Sequence, residues 1–211
     1  MNTPKERPIL FSAPMVRAIL DGRKTQTRRI AKVTDKDCKP GMITPLAGFV
    51  PRTIANHISY CPYGKTGDRL WVRETFKQYN GIISYKADGN WISDFNDIDN
   101  FNPHENIKWK RSIHMPRSAS RILLEITGVR VERLQDISEE DAIAEGISRV
   151  PFRPCDGWPI CDGYMVGKDD GVTGLAAKAS TAYKKLWESI NGPGSWDMNP
   201  FVWVVEFRRI N

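Results

Sequence analysis

The spacing of apolar residues along the chain predicts three helices. The first covers residues 14–20, with Ser12 as its expected N-cap and Gly22 as the residue that ends it. The second covers residues 138–146, where a serine caps the start and a glycine stands at the end. The third covers about residues 175–190, and its apolar residues recur every three or four positions.

Runs of β-branched, aromatic and alternating apolar residues predict the strands, which cover residues 25–30, 69–76, 81–85, 121–134 and 201–207. The second and third of these runs are expected to pair as a hairpin. Within the longest run the apolar positions change face at Gly128, which predicts a bulge or a sharp bend. The last run is apolar on both faces, so we expect a central strand. Because strands and helices do not alternate regularly, the pattern predicts an α+β fold, a small curved sheet or barrel with peripheral helices.

Segments rich in proline, glycine, asparagine or aspartate are predicted to be loops or insertions. They cover about residues 35–68, 87–111 and 149–174, and long irregular stretches in a compact domain are usually functional or mobile. The chain has no internal repeat, so we expect its 211 residues to form a single domain with these insertions. The aromatic residues Trp91, Phe95 and Trp109 could stack on a base, but anchoring of the loop is the favoured interpretation.

Composition and charge narrow the class of protein. Hydrophobic residues make up 40% of the chain, and no apolar run approaches the length that spans a bilayer. The first residues also lack the apolar core of a signal peptide, so we expect a cytoplasmic protein without a membrane partner. The net charge of +6 is compatible with a nucleic-acid partner, although many basic proteins bind no anion.

The cysteines and histidines do not predict a metal centre. Cys38, Cys61, Cys155 and Cys161 contain no C-x-x-C pair, and a cytosolic location would keep them reduced. A zinc site formed by all four is the less favoured alternative, because their spacings are loose. The histidines show no metal-ligand pattern, and we expect neither a metal nor another cofactor.

Cations and hydroxyls are concentrated where the first predicted helix is followed by a strand. Lys24 and Thr27 lie there among Arg23, Arg28 and Arg29. Such a cluster suits an anion, a nucleotide or a reacting carbonyl. A basic run at the C-terminal end of a helix also complements the helix dipole, so a merely solvated face is the alternative interpretation.

The order Gly22-x-Lys24-x-x-Thr27-x-Arg29 after a short helix resembles the signature of ASCH domains, which belong to the PUA-like superfamily. The chain is most similar to the longer ASCH-like proteins of phages and prophages, over most of residues 7–32, 63–76, 112–147 and 183–210. The resemblance implies a PUA-like β-barrel with a cleft beside the signature. It also implies RNA or nucleoside ligands and a location inside a bacterial host cell.

Small bacterial proteins similar to this chain hydrolyse N(4)-acetylcytidine to cytidine and acetate without a metal. The resemblance assigns this chemistry to Lys24, Thr27 and a downstream glutamate, which matches Glu145. It therefore implies an amidohydrolase acting on an N(4)-acylated cytidine or a related modified nucleoside. The alternatives are a non-catalytic PUA-like module that binds RNA or DNA, with RNA favoured, and a ribonuclease that uses the same cleft.

The residue types fit amide hydrolysis. Thr27 offers a hydroxyl nucleophile, which is weak unless a base removes its proton. The neighbouring arginines and any burial would lower the pKa of Lys24 and make it a suitable base. Glu145 suits a general acid, although a glutamate that favours the helix and faces water is the simpler alternative.

Further arginines are expected to line the cleft or contact phosphate. With Arg23, Arg28 and Arg29 we therefore group Arg73 of a predicted strand and the pair Arg117 and Arg121. Turn chemistry explains the serines and the proline around Arg117 equally well.

Overall fold

A computed structural model of the chain describes residues 3–31, 61–89, 108–153, 156, 159–167 and 174–210. In chain order its strands and helices are β1 (Glu6–Leu10), α1 (Ala13–Leu20), β2 (Gln26–Ile30), β3 (Arg69–Arg73), β4 (Phe76–Tyr79), β5 (Ile82–Tyr85), β6 (Leu123–Arg133), α2 (Glu139–Ala144), β7 (Ile147–Phe152), β8 (Cys161–Val166), α3 (Ala179–Asn191) and β9 (Phe201–Arg209). These elements form a mixed, strand-dominated structure, and the predicted α+β class is confirmed.

The main sheet contains five strands in the order β1-β3-β6-β9-β2. Strand β1 is parallel to β3, and the other neighbours are antiparallel. Strand β9 lies between β6 and β2, which confirms its predicted central position. Within the described ranges no sheet closes on itself, because β1 and β2 are the two edges of this open sheet.

The predicted bulge at Gly128 is present. The pairing of β6 with β9 shifts register between Ile126 and Gly128. A Cβ atom at position 128 would lie 2.6 Å from Oε2 of Glu206, so only glycine fits there without displacing that side chain.

The helix ends follow the predicted signals in part. Ser12 is the N-cap residue of α1 as predicted, but its side chain makes no capping hydrogen bond. Ser138 caps α2, since its Oγ accepts a hydrogen bond of 3.1 Å from the backbone N–H of Asp141. Helix α1 ends before Gly22, whose φ of +73° is in the left-handed region that favours glycine. Helix α3 begins at Ala179, later than the predicted residue 175.

Two strand predictions differ from the structure. The run at 69–76 is divided into β3 and β4, and β4 pairs with β5 in a separate two-stranded sheet. Strands β7 and β8 pair with each other, and β8 and most of β7 lie in the segment 149–174, which was predicted to be a loop or insertion. The prolines and glycines of this segment favour a loop when the sequence is considered alone. In the structure Pro151 nevertheless lies within β7, opposite Asp162. Residues 32–60 and 90–107, with Cys38, Trp91 and Phe95, lie outside the described residues.

Strand β9 separates two apolar clusters and so positions its neighbour β2. Trp203, Val205 and Phe207 pack on the side of α1, whereas Val202 and Val204 pack on the side of α2 and α3. Strand β2 therefore lies at a sheet edge between α1 and α3. None of the described helices is long and apolar enough to cross a membrane.

Candidate active site

The short loop between α1 and β2 turns Lys24 into the protein interior. The backbone N–H groups of Arg23 and Lys24 both donate to the carbonyl oxygen of Ala18, at 2.9 and 3.0 Å. The N–H of Thr25 donates to the carbonyl oxygen of Ala144 at 2.9 Å, which fixes the loop against the end of α2. Lys24 precedes β2, so the alternation of strand faces does not apply to it.

Lys24 and Glu145 form a buried ion pair. Nζ of Lys24 lies 2.8 Å from Oε2 of Glu145 and 2.7 Å from its backbone oxygen. The two side chains are 2% and 3% exposed. Burial lowers the pKa of Lys24; the charge of Glu145 opposes this shift, and the charges of Arg29 and Arg28 add to it. The structure thus brings together two of the three residues predicted to be catalytic.

Arg28 holds the other oxygen of the same carboxylate. Its Nη1 lies 3.2 Å from Oε1 of Glu145, and its Nη2 lies 2.7 Å from Oδ2 of Asp141. The Nε and Nη2 atoms also pair with Glu132. Arg28 was predicted to bind substrate or nucleic acid, but its buried guanidinium is surrounded by carboxylates of the protein itself. Although burial alone would lower the pKa of Arg28, the charges of Glu145 and Glu132 raise it.

A network of charges extends from Arg28 toward the surface. Asp141 accepts hydrogen bonds from Gln26 at 3.1 Å and from Arg130 at 3.0 Å. Arg130 also pairs with Glu132 at 3.1 Å and with Glu206. This network could not be predicted from the sequence. Asp141 has the position of a residue at the capped start of a helix, and the pairing of distant strands is needed to bring the arginines and glutamates of the network to it. Arg130 and Glu132 are two positions apart and therefore share one face of β6. This spacing was the signal in the sequence that indicated an ion pair on that face.

A small cavity lies beside the Lys24–Glu145 pair. Its volume is about 60 Å³, and Lys24, Thr27 and Glu145 all line it. Helix α3 forms part of the wall with Tyr183 and Trp187. All three residues predicted to be catalytic therefore line one cavity.

The Thr27 hydroxyl is available in that cavity. Thr27 lies on β2 opposite Val205 and is 2% exposed. Among the described residues its hydroxyl has no hydrogen-bond partner, although the residue lines the cavity. A hydroxyl that is not held by the protein is free to contact a ligand.

Arg29 lies where the small cavity meets a wider one. The second cavity has a volume of about 520 Å³ and shares Phe11, Met15, Arg29 and Ile190 with the first. Nη2 of Arg29 donates to the carbonyl oxygen of Leu10 at 2.7 Å, and its guanidinium lies 5.3 Å from the centre of the Phe11 ring. No carboxylate of the described residues pairs with Arg29, so its charge is available to a ligand.

The remaining predicted arginines line neither cavity. Arg23 donates to the carbonyl oxygen of Gly146 and to Ser148, at 3.3 and 3.0 Å, and so supports the loop that carries Lys24. Arg73 donates to the carbonyl oxygen of Met115 at 3.0 Å.

Arg117 and Arg121 are paired with carboxylates elsewhere on the protein. Arg117 lies 3.0 Å from Glu6, and Arg121 pairs with Glu74 at 2.9 Å and with Asp88 at 2.8 Å. These ion pairs neutralise the charge that was predicted to meet substrate or phosphate.

The zinc alternative is only partly covered by the structure. Cys61 is buried and Cys161 is exposed, whereas Cys38 and Cys155 lie outside the described residues. Over the ranges that the structure describes, no group of three or more His, Cys, Asp or Glu residues could hold a metal ion.

Comparison with models of protein families, with curated proteins and with solved structures finds no match to this chain. The resemblance to ASCH domains therefore stays a prediction. Lys24, Thr27 and Glu145 around the small cavity are the feature of the described residues that points to a function.

Proposed function

We propose that the protein is an amidohydrolase with a PUA-like, ASCH-type fold that removes the acyl group from an N(4)-acylated cytidine or a related nucleoside without a metal. The single observation that carries this proposal is the buried Lys24–Glu145 pair in a cavity that it shares with the Thr27 hydroxyl. Burial lowers the pKa of Lys24, so more of this amine is neutral at a given pH than in an exposed lysine. A neutral amine can act as the base that activates a hydroxyl nucleophile, and Lys24 and Thr27 line the same cavity.

The proposed reaction begins with attack on the amide carbon. Oγ1 of Thr27 attacks this carbon and its proton passes to Nζ of Lys24. When the C–N bond breaks, the leaving amine takes that proton, and the acyl group remains as an ester on Thr27. Glu145 orients Nζ throughout, since it accepts from this nitrogen with both its side chain and its backbone oxygen.

Water completes the cycle. A water molecule attacks the ester carbon and gives a proton to Lys24, which passes it to Oγ1 of Thr27 as the C–O bond breaks. One amide and one water thus yield one carboxylic acid and one amine, and no oxidant or reductant is required.

The two cavities suit an acylated nucleoside. A cavity needs a volume of about 10–15 Å³ to hold one water molecule. The small cavity of about 60 Å³ therefore accommodates a small acyl group. The wider cavity of about 520 Å³ offers room for the base and sugar. Arg29 and Phe11 at the junction would contact the part of the substrate next to the amide.

The charge distribution supports catalysis more than non-catalytic nucleic-acid binding. Arg28, Arg117 and Arg121 are each paired with carboxylates of the protein. A nucleic-acid groove or a ribonuclease site needs cations that face phosphate, and Arg29 is the predicted arginine that lines both cavities without such a pair among the described residues.

The proposal is tested by incubating the purified protein with N(4)-acetylcytidine and following the release of cytidine and acetate by chromatography. Lys24→Arg retains the positive charge but cannot act as a base at neutral pH, so we expect no detectable release. The control is Lys184→Arg, because Lys184 pairs with Asp197 at the surface. A wild-type protein that is inactive on acetyl, propionyl and benzoyl cytidines would overturn the proposal.

A further inference from the structure

Helix α3 presents an aromatic wall to the small cavity. Tyr183 and Trp187 are one helical turn apart, are 3% and 4% exposed, and both line the cavity with Lys24 and Thr27. The Tyr183 hydroxyl makes no hydrogen bond to any residue that the structure describes. The Trp187 indole nitrogen is buried and also has no partner there.

Hydrolysis of an amide requires a hydrogen-bond donor for the carbonyl oxygen. Negative charge develops on this oxygen when the carbon is attacked, and donors fixed in advance at that position lower the barrier. Such a donor must face the cavity and must not already be committed to the protein.

Lys24 and Arg28 do not meet this requirement. Lys24 donates twice to Glu145, and in the proposed reaction its lone pair is directed at Thr27. The guanidinium of Arg28 is bound by Glu132, Asp141 and Glu145. The donor must therefore come from the other groups that line the small cavity, which include Arg29 at its junction with the wider cavity and Tyr183 on α3.

We propose that Tyr183 is a further catalytic residue, whose hydroxyl donates a hydrogen bond to the carbonyl oxygen of the substrate amide while Thr27 attacks the carbon. This inference rests on the proposed amidohydrolase function and adds the component that the predicted triad lacks. It assigns a chemical role to α3, which lies outside the signature.

The surroundings of Tyr183 suit a donor. Its ring packs against Trp187 and Trp196, with ring centres 6.3 Å apart in each pair, so the hydroxyl is held in a fixed position. Burial, and next the charge of Glu145, raise its pKa well above the ordinary value, with Arg28 and Arg29 opposing. The hydroxyl therefore remains protonated and able to donate at the pH at which Lys24 acts.

The first test is Tyr183→Phe, which removes the hydroxyl and keeps the ring. Loss of one donor to an oxyanion lowers kcat by about 10²–10³-fold in other enzymes, and we expect a loss of about 10²-fold with little change in KM. The control is Tyr164→Phe, since Tyr164 lies on β8 and lines neither cavity. Trp187→Phe removes the other partnerless donor and is expected to change kcat less than Tyr183→Phe does.

A second measurement separates the hydrogen bond from any effect on folding. We compare kcat/KM for N(4)-acetylcytidine and its thioacetyl analogue, because sulfur is the weaker acceptor. Wild type should favour the oxygen substrate by a larger ratio than Tyr183→Phe does, and this ratio does not depend on the fraction of folded enzyme.

The outcomes are distinct. Equal kcat and an equal oxygen-to-sulfur ratio in wild type and Tyr183→Phe would overturn the role of Tyr183 and leave the amidohydrolase proposal standing. A loss of kcat that occurs in Trp187→Phe and not in Tyr183→Phe would also overturn it. A wild-type protein that hydrolyses no acylated cytidine would overturn the proposed function, and the role of Tyr183 with it.

Discussion

Glu145 and Glu74 are both buried glutamates that pair with an arginine, yet their surroundings differ. Both are 2% exposed. Arg121 donates hydrogen bonds to both oxygens of Glu74, at 2.9 and 3.1 Å. In contrast, one oxygen of Glu145 accepts from Lys24 and the other from Arg28. Glu74 lines neither of the two cavities, and Glu145 lines the small one.

The difference shows that burial and ion pairing alone do not define a reactive site. The bidentate contact of Arg121 engages both oxygens of Glu74 and fixes the geometry of that pair. Arg28 makes only one of the two contacts to the Glu145 carboxylate, and Lys24 makes the other. Unlike an arginine, a lysine can lose its proton when it is buried. That residue type, together with the cavity and the Thr27 hydroxyl, carries the functional proposal.

A large contrast is expected between two matched substitutions, one at each glutamate. Glu145→Gln removes the charge that orients Lys24, and we expect the release of cytidine from N(4)-acetylcytidine to fall by about 10²-fold or more, as for other groups that position a catalytic base. Glu74→Gln removes the other buried charge, and we expect activity within a few-fold of wild type. Steady-state kinetics on both variants checks this.

Thermal unfolding provides the control for that comparison. Each substitution leaves an arginine with one carboxylate fewer in a buried or half-buried position, so both variants should lose stability. If Glu74→Gln lost as much activity as Glu145→Gln while still folded, the distinction between the two glutamates would be wrong.

A smaller effect is expected in the dependence on pH. The pKa of Lys24 is lowered, chiefly by burial. Because the neutral amine is the active form in the proposed reaction, kcat/KM should rise about tenfold per pH unit and reach a plateau at a pH below the ordinary lysine value. Initial rates across a pH series, corrected for hydrolysis without enzyme, check this; a rise that continues through the ordinary lysine pKa would contradict it.

The pH dependence of stability should have opposite signs in the two regions. In the window below the ordinary lysine pKa, the unfolded chain binds more protons at Lys24 than the folded protein does, so this group makes stability rise with pH. Burial raises the pKa of Glu74, so its contribution to stability is present below the ordinary glutamate pKa and is lost as pH rises through the raised value. Denaturant unfolding of Glu74→Gln should therefore lack that acid-range fall.

Features set by neighbouring residues could be predicted from the sequence. The change of apolar face at Gly128 and the capping Ser138 each depend on a few adjacent positions, and the structure contains both the bulge and the cap. The central position of β9 follows from its two apolar faces.

Features set by distant pairing could not be predicted. Strands β7 and β8 stabilise each other across prolines and glycines that indicate a loop when read alone. The burial of Arg28 depends on Glu132, Asp141 and Glu145 reaching it from other elements. In the sequence Tyr183 is only one residue within the helix predicted over about residues 175–190, and its place in the cavity depends on how α3 packs.

The central claim is that the Thr27 hydroxyl attacks the amide, and replacing that hydroxyl tests it most directly. Thr27→Val keeps the branched shape and the strand preference but removes the oxygen. We predict that its rate of cytidine release from N(4)-acetylcytidine falls by about 10³-fold or more, and that Thr27→Ser, which restores a hydroxyl, recovers most of the rate. A folded Thr27→Val protein that releases cytidine within a few-fold of the wild-type rate would contradict the account.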